Sequence, residues 1–251
     1  MNAPRGSDWT TGFFDEWYLD FFGFPDAAQT DAESEALRSL LPGPPARVLD
    51  VACGQGRHAI RLAKAGYEVL GLDSSTLFIG QAREAARVAG VSVEFIEGDM
   101  RQLEVANAFP VVLSLFTSWG FGDDSANQQV LDGMGRALQP DGLLVLEINN
   151  RDWILQHYRN RDWQARADGT VAWIERDFDP VRGVNVVTHR WMGHDGQMAS
   201  RDHQVRFYTP PELSSMLSAA GMVPTAWYDG FSLEPFGVNS RRLLVTARKA
   251  V

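Results

Sequence analysis

The chain has 251 residues, of which 45% are hydrophobic and 22% charged, as is typical of a globular protein. Its net charge of −9 at pH 7 argues against a large phosphate-neutralising surface for DNA or RNA. The sequence shows no long apolar run, no signal-peptide pattern and a single cysteine, Cys53, so we expect a soluble cytoplasmic protein that binds neither nucleic acid nor membrane.

Residues 9–22 carry aromatic side chains mostly at helical spacing, which favours an amphipathic helix. We interpret residues 1–45 as an N-terminal helical cap. This cap either packs on the core or covers a ligand pocket, to which Tyr18 would offer a polar tip. A proline- and glycine-rich segment, 41–45, then breaks the chain before the first clear strand.

From Arg47 onward, short apolar runs alternate with helical stretches. The runs predict strands over 47–52, 67–72, 91–97, 111–115 and 143–148, and the stretches between them predict helices over 58–65, 76–88 and 127–138. This alternation predicts a parallel sheet with helices on both faces. Right-handed crossovers would bring the carboxyl ends of the strands to one edge.

After Asn150 the pattern changes to extended, alternating segments. Residues 170–178, 184–192 and 198–208 predict an antiparallel meander inside an inserted segment, 152–208, of one domain that spans 1–251. Next, Thr209-Pro-Pro-Glu212 has the pattern of a capping box with proline at the first helical position. The strands predicted last cover 222–228 and 242–248.

The first predicted strand leads into a glycine loop, LDVACGQGRHA, over residues 49–59. Gly54 and Gly56 fit the dinucleotide fingerprint, and Asp73 follows where that fingerprint has an acid, so a nicotinamide dinucleotide is one candidate ligand. Asp50, however, would crowd the pyrophosphate of such a ligand electrostatically. It suits a ligand with positive charge, while the helix N-terminus can stabilise a carboxylate, and a methionyl moiety carries both groups.

Asp50-Val-Ala-Cys-Gly54-Gln-Gly56 resembles the D-x-G-C-G-x-G signature of class I S-adenosylmethionine-dependent methyltransferases, with Ala52 in place of a glycine. Further matching segments are 69–73, 97–100 and 114–116. The resemblance covers about 46–250 and implies a Rossmann-like, seven-stranded, mostly parallel sheet with helices on both faces and an antiparallel last strand. It also implies that S-adenosylmethionine is the cofactor and S-adenosylhomocysteine the product.

The resemblance also assigns cofactor contacts. Asp73 would bind both ribose hydroxyls, since a carboxylate accepts two O–H donors well. An acid in 97–100 would accept the adenine amino group, Met100 would pack on the ring, and 114–116 would lie beside the methionyl group. The implied cofactor-binding residues are Asp50, Ala52, Gly54, Gly56, His58, Asp73, Ser74, Asp99, Met100 and Leu115.

Acceptor contacts are expected on loops at the carboxyl ends of the strands. The candidate residues are Tyr18, Phe116, Trp119, Asn149 and His203, with Thr117, Ser118, Asn150 and Arg151 on the same loops and His189 and His194 as further candidate bases. Trp119 is read either as a pocket wall or as core packing. No catalytic residue is assigned, because a base is needed only if the acceptor must lose a proton. No metal site is expected.

The motifs after the fourth strand narrow the acceptor class. Ser114-Leu-Phe-Thr117 differs from the Asn/Asp-Pro-Pro-aromatic pattern of enzymes that methylate the amino groups of nucleic-acid bases. Enzymes that methylate cytosine carbon need a nucleophilic cysteine in this region, whereas Cys53 lies in the glycine loop. We therefore predict in-line transfer of a methyl group to an oxygen or nitrogen of a small molecule. The alternatives are a non-catalytic S-adenosylmethionine-binding module and an NAD-dependent oxidoreductase. The inserted strands could also pair between two copies of the chain and form a homodimer, whether or not the protein is catalytic.

Overall fold

The computed structural model describes Phe14, Tyr18 and residues 25–165, 169–192 and 196–250. Its strands are β1 (Arg47–Val51), β2 (Glu68–Asp73), β3 (Glu94–Glu97), β4 (Phe109–Ser114), β5 (Leu138–Asn149), β6 (Arg161–Ala165), β7 (Val171–Asp179), β8 (Val184–Met192), β9 (Met198–Arg206), β10 (Met222–Tyr228) and β11 (Arg242–Lys249). Its α-helices are α1 (Ala27–Leu40), α2 (Arg57–Lys64), α3 (Thr76–Ala89), α4 (Asp124–Ala137), α5 (Arg151–Gln156) and α6 (Pro210–Ala219). Apart from Phe14 and Tyr18, the helix predicted over 9–22 lies outside the described residues.

In the described part of the chain, the central sheet has seven strands in the order β10-β11-β5-β4-β1-β2-β3. Strands β1 to β5 are parallel to one another, and β11 is antiparallel to both of its neighbours. The predicted Rossmann-like sheet with an antiparallel last strand is thus confirmed. The parallel strands end at one edge, where ligands of open α/β sheets bind.

Helices cover both faces of this sheet because successive apolar side chains along a strand point to opposite faces. In β1, Leu49 and Val51 pack on the face that carries α4 and α6, whereas Val48 packs on the face that carries α1, α2 and α3. The predicted capping box is present: the Thr209 hydroxyl and the Glu212 carboxylate each bond the other residue's backbone N–H at the start of α6.

A separate antiparallel sheet has its described strands in the order β6-β7-β8-β9. The meander predicted over 170–208 corresponds to β7, β8 and β9. Strand β6 was not predicted, because its sequence RDWQA is mostly polar; it is defined by pairing along its full length with β7. No helix among the described residues is long and apolar enough to cross a membrane.

Candidate active site

A cleft of about 280 Å³ lies at the carboxyl edge of the central sheet. Its walls come from the ends of β1, β2, β4 and β5, the start of β11, Phe14 and Tyr18, and two residues of β9, His203 and Val205. The loops that were singled out from the sequence therefore converge on one cavity. The second sheet contributes part of its wall.

The glycine loop connects β1 to α2 through backbone conformations in the left-handed region. Gly54 lines the cleft at φ 55°, and Ala52, also in the lining, adopts φ 58°. Gly56 forms the N-cap of α2 at φ 72° rather than part of the cleft wall. A Cβ at Gly56 would lie 2.7 Å from the ring of Phe95, so this glycine lets α2 pack closely on the sheet.

Asp50 is 3% exposed and lines the cleft from the end of β1. Burial raises the pKa of its carboxyl group to about 7, with Asp73 adding to the rise and Arg57 opposing it. A positively charged ligand in the cleft would stabilise the ionised form. The environment of Asp50 therefore fits a cationic group better than a phosphate.

Asp73 ends β2 and fixes the glycine loop. Its Oδ2 atom accepts a hydrogen bond of 2.8 Å from the Gly54 backbone N–H, and its Oδ1 atom accepts one of 2.9 Å from that of Ser75. Burial raises the pKa of Asp73, and the backbone N–H groups oppose that rise. Ser74 also lines the cleft. A carboxylate oxygen can accept more than one bond, so Asp73 can also receive ligand hydroxyls.

The segment after β3 differs in part from the expectation. Gly98 and Met100 line the cleft, but Asp99 is turned toward Arg101. The Arg101 side chain donates to Asp99 Oδ2 from Nε at 2.8 Å, and the Arg101 backbone N–H donates to Oδ1, also at 2.8 Å. The structure thus places the predicted adenine-binding acid outside the lining, because a nearby guanidinium binds its carboxylate.

The loop after β4 has a strained backbone. Phe116 and Thr117 adopt φ 60° and 59°, a region that residues with a Cβ rarely occupy. The carboxylate of Glu147, 2% exposed in β5, accepts a bond of 2.7 Å from the Phe116 N–H, and its main-chain oxygen accepts one of 3.1 Å from the Thr117 N–H. Arg242 donates to the Glu147 carboxylate from Nε and Nη2.

Glu147 and Arg242 were not predicted from the sequence as residues of the site. Glu147 is a carboxylate inside the apolar run LLVLEI, and Arg242 begins the last strand. A buried charge is costly unless it is paired, so the isolated acid in this apolar run was the signal that could have indicated a paired, buried carboxylate. Its partner lies 95 residues away in the chain, so only the sheet topology could identify it.

On the other side of the glycine loop, His58 and Arg57 are bound by Glu33 of α1. His58 Nε2 lies 3.0 Å from Glu33 Oε2, and Arg57 Nη1 donates to the same oxygen. Burial alone would raise the pKa of Glu33, but these bonds lower it to about 2. Burial lowers the pKa of His58. His58 therefore lines the cleft as a neutral side chain fixed by α1.

The acceptor candidates Tyr18, Phe116, Asn149 and His203 line the cleft. Burial, with Asp73 adding to it, raises the pKa of Tyr18 to about 12. His203 stacks on His189 with ring centroids 5.2 Å apart, and burial lowers their pKa values to about 3 and 4. Both imidazoles are therefore neutral at pH 7. The other candidate base, His194, lies outside the described residues.

Three of the other loop residues lie outside the cleft wall. Trp119 is 1% exposed and sits in the core: its indole Nε1 donates to the Asn127 carbonyl oxygen at 2.9 Å and its ring contacts that of Tyr208. The core-packing alternative is therefore the correct one for Trp119. Asn150 caps α5 and donates to the Ser240 carbonyl oxygen at 2.6 Å, and Arg151 follows it as the first residue of α5. Thr117 and Ser118 do line the cleft.

Comparisons with known proteins agree with this fold. A family model described as a methyltransferase domain matches residues 48–142. A protein of Geobacillus sp. (strain WCH70), named as a methyltransferase, is 27% identical over 210 residues, covering 81% of this chain and 84% of that protein.

Solved structures share the architecture. The CcbJ methyltransferase from Streptomyces caelestis superposes with a TM-score of 0.81 at 21% identity, covering 96% of this chain and 99% of its own. An amino pentose methyltransferase from Micromonospora echinaspora, solved with S-adenosylmethionine bound, superposes with a TM-score of 0.67 at 24% identity, covering 94% and 96%. At these identities the structural matches establish the fold.

Proposed function

We propose that this chain, which belongs to the class I S-adenosylmethionine-dependent methyltransferases, transfers a methyl group to an oxygen or nitrogen of a small-molecule acceptor. S-adenosylmethionine is its cofactor. The observation that carries the proposal is one cleft in which the ends of β1, β2 and β4 meet the Gly98–Met100 segment. When bound, the cofactor supplies a methyl group that its sulfonium has already activated.

The cofactor half of the cleft fits this molecule by charge and by shape. Asp50 is a buried carboxylate whose raised pKa favours a cationic partner, and it would bind the methionyl ammonium. Gly54 lets the backbone approach the ligand closely. Asp73, next to Ser74, would accept the ribose hydroxyls. Met100 would pack on the adenine.

Further cofactor contacts follow from the lining. Ala52, His58 and Leu115 would complete the wall around the methionyl group, and Gly56 would act by setting the start of α2. Asp99 would reach the adenine amino group only after releasing Arg101, so the backbone of 98–100 would bind the ring first.

The acceptor half consists of Tyr18, Phe116, Asn149 and His203. A neutral His203 accepts a hydrogen bond from an acceptor hydroxyl or amine but is a weak base, because its pKa is about 3. These residues would act mainly by orientation and by excluding water. Orientation of this kind can contribute about 7–11 kcal/mol to lowering a barrier. The amino pentose methyltransferase among the similar structures supports a small-molecule acceptor.

The remaining predictions concern organisation. We propose that 1–45 form a cap and that 152–208 are an insertion in a single domain over 1–251. We also propose that the protein forms a homodimer through β6 to β9. It would lie in the cytoplasm and have no nucleic-acid partner.

Two measurements test the function. In a thermal-shift titration, S-adenosylhomocysteine at about 100 times its dissociation constant should add roughly 2.7 kcal/mol to the free energy of unfolding, whereas NAD should add nothing. Label from a tritiated methyl donor should then appear in an acceptor from a metabolite mixture. Stabilisation by NAD alone would contradict the proposal. Tight S-adenosylhomocysteine binding without transfer to any acceptor would favour the non-catalytic module.

A further inference from the structure

Two guanidinium groups meet at one aromatic ring in the wall of the cleft. The Cζ atom of Arg57, at the start of α2, lies 5.0 Å from the ring centroid of Phe116, and that of Arg242, at the start of β11, lies 5.6 Å from it. All three residues line the cleft, and Phe116 is 38% exposed. The wall therefore brings two guanidiniums close together, each of them also ion-paired with a carboxylate of the protein.

Both guanidiniums have more N–H donors than their protein partners use. Arg242 donates to Glu147 and Asn149 through three N–H groups out of the five that an arginine carries. Arg57 donates through Nη1 to Glu33 and Thr30, and its buried Nη2 has no hydrogen-bond partner among the described residues. Buried donors are normally satisfied, so a ligand with acceptor oxygens would complete this site.

The position of Arg242 separates this site from the cofactor half. Strand β11 lies next to β5, and both β5 and β4 stand between it and β1, which carries Asp50 and the glycine loop. Asn149, which Arg242 binds, ends β5 and also lines the cleft. Arg57 starts beside the glycine loop but reaches Phe116, which follows β4. The two charges thus meet at the Phe116 ring, between the glycine loop and the ends of β4 and β5.

We propose that the acceptor carries an anionic group, a carboxylate or a phosphate, which Arg57 and Arg242 bind at the Phe116 ring. The inference rests on the proposed methyltransferase function and adds a substrate class to it. A guanidinium suits this role because its planar donor fork matches carboxylate and phosphate oxygens. The partner carboxylates, Glu33 and Glu147, lie behind the wall and keep both side chains in place.

The test measures anion binding by the full chain saturated with S-adenosylhomocysteine. Inorganic phosphate and acetate are titrated separately by calorimetry at constant ionic strength, so the preferred anion identifies the acceptor group. We expect Arg57→Lys and Arg242→Lys each to weaken binding of that anion about tenfold or more, because lysine keeps the charge but loses the paired donors. The retained charge opposite Glu147 keeps the Arg242→Lys variant folded, which circular dichroism checks.

Arg241→Lys is the matched control. Arg241 is the exposed neighbour of Arg242, and its guanidinium lies over the ring of Trp153 instead of in the cleft wall. This variant should bind the anion as the wild type does. S-adenosylhomocysteine affinity should be unchanged in the Arg242→Lys variant.

Four results would overturn the inference. If wild type and both lysine variants bind the anion equally, or if a complex that binds S-adenosylhomocysteine binds neither anion, the methyltransferase function stands and the anion site is refuted. If both variants lose S-adenosylhomocysteine affinity and no anion binds, the arginines bind the methionyl carboxylate instead. If the wild type fails to bind S-adenosylhomocysteine, the proposed function itself fails, and the inference fails with it.

Discussion

Replacing Glu147 with glutamine should destabilise the protein by loosening the loop after β4. The substitution preserves the shape of the side chain but removes its charge, so Arg242 loses its counter-ion and the Phe116 N–H loses a charged acceptor. Breaking a buried ion pair costs about 3–5 kcal/mol. The Arg242 side chain is 24% exposed and water can solvate part of its charge, so we expect a loss of roughly 2–3 kcal/mol.

Urea unfolding followed by circular dichroism at pH 7 measures this loss, provided that the slope against urea is unchanged. For a chain of this length the melting temperature should fall by roughly 4–12 °C. The matched control is Glu175→Gln, which removes the carboxylate from an exposed ion pair with Arg190 and should change stability far less.

A second variant isolates the charge effect. In the Glu147→Gln background, Arg242→Met removes the unpaired guanidinium and should recover part of the lost stability. The reasoning is refuted if Glu147→Gln costs no more than Glu175→Gln, or if the double variant is less stable than Glu147→Gln alone.

Three further outcomes are expected. Asp73→Asn should weaken S-adenosylhomocysteine binding about tenfold or more in calorimetry, because a charged acceptor for ribose hydroxyls is lost; unchanged affinity would exclude that role. Asp50 has a folded-state pKa of about 7, above its unfolded value, so its ionisation lowers the stability of the folded protein as pH rises from about 4 to 7. In urea unfolding, Asp50→Asn should therefore be more stable than the ligand-free wild type by roughly 2–4 kcal/mol at pH 8. Near pH 4 the two proteins should be equally stable. Gly56→Ala should lower the free energy of unfolding by about 2 kcal/mol or more, because the new Cβ would clash with Phe95 at a residue with positive φ. Gly80→Ala, on the open face of α3, should raise it by about 0.5–1 kcal/mol. Similar unfolding midpoints for the two variants would contradict this.

The central sheet and the convergence of Asp50 and Asp73 on one cleft could be predicted because local patterns encode them. Short, mostly apolar runs define strands such as β1 and β4, and Asp50 and Asp73 stand at or next to the ends of their strands. Once strands are parallel, their ends share an edge, so these carboxylates were expected to meet. Strand β6 escaped prediction because its side chains are mostly polar and its pairing with β7 defines it.

Side-chain partners outside the local sequence decided the remaining differences. The sequence around Trp119 is compatible with a place in the cleft wall or in the core. The bond from its indole N–H to the Asn127 carbonyl oxygen in α4 decides for the core. Asp99 was expected to face the nucleoside, but Arg101 binds it instead. Such choices depend on which partner a side chain can reach in the folded chain, and spacing along the sequence does not determine this.

His203 and Val205 reach the cleft from β9, whereas Asp50, Ser74 and Met100 reach it from the central sheet and its loops. Under the proposed function, one part of the acceptor wall is therefore encoded by a stretch of the chain that lies apart from the donor-binding loops. Substitutions in β9 can reshape the acceptor wall while the nucleoside half stays intact. New acceptors can thus arise by divergence of one short strand, and grafting β6 to β9 from a related enzyme is a direct route to altered selectivity.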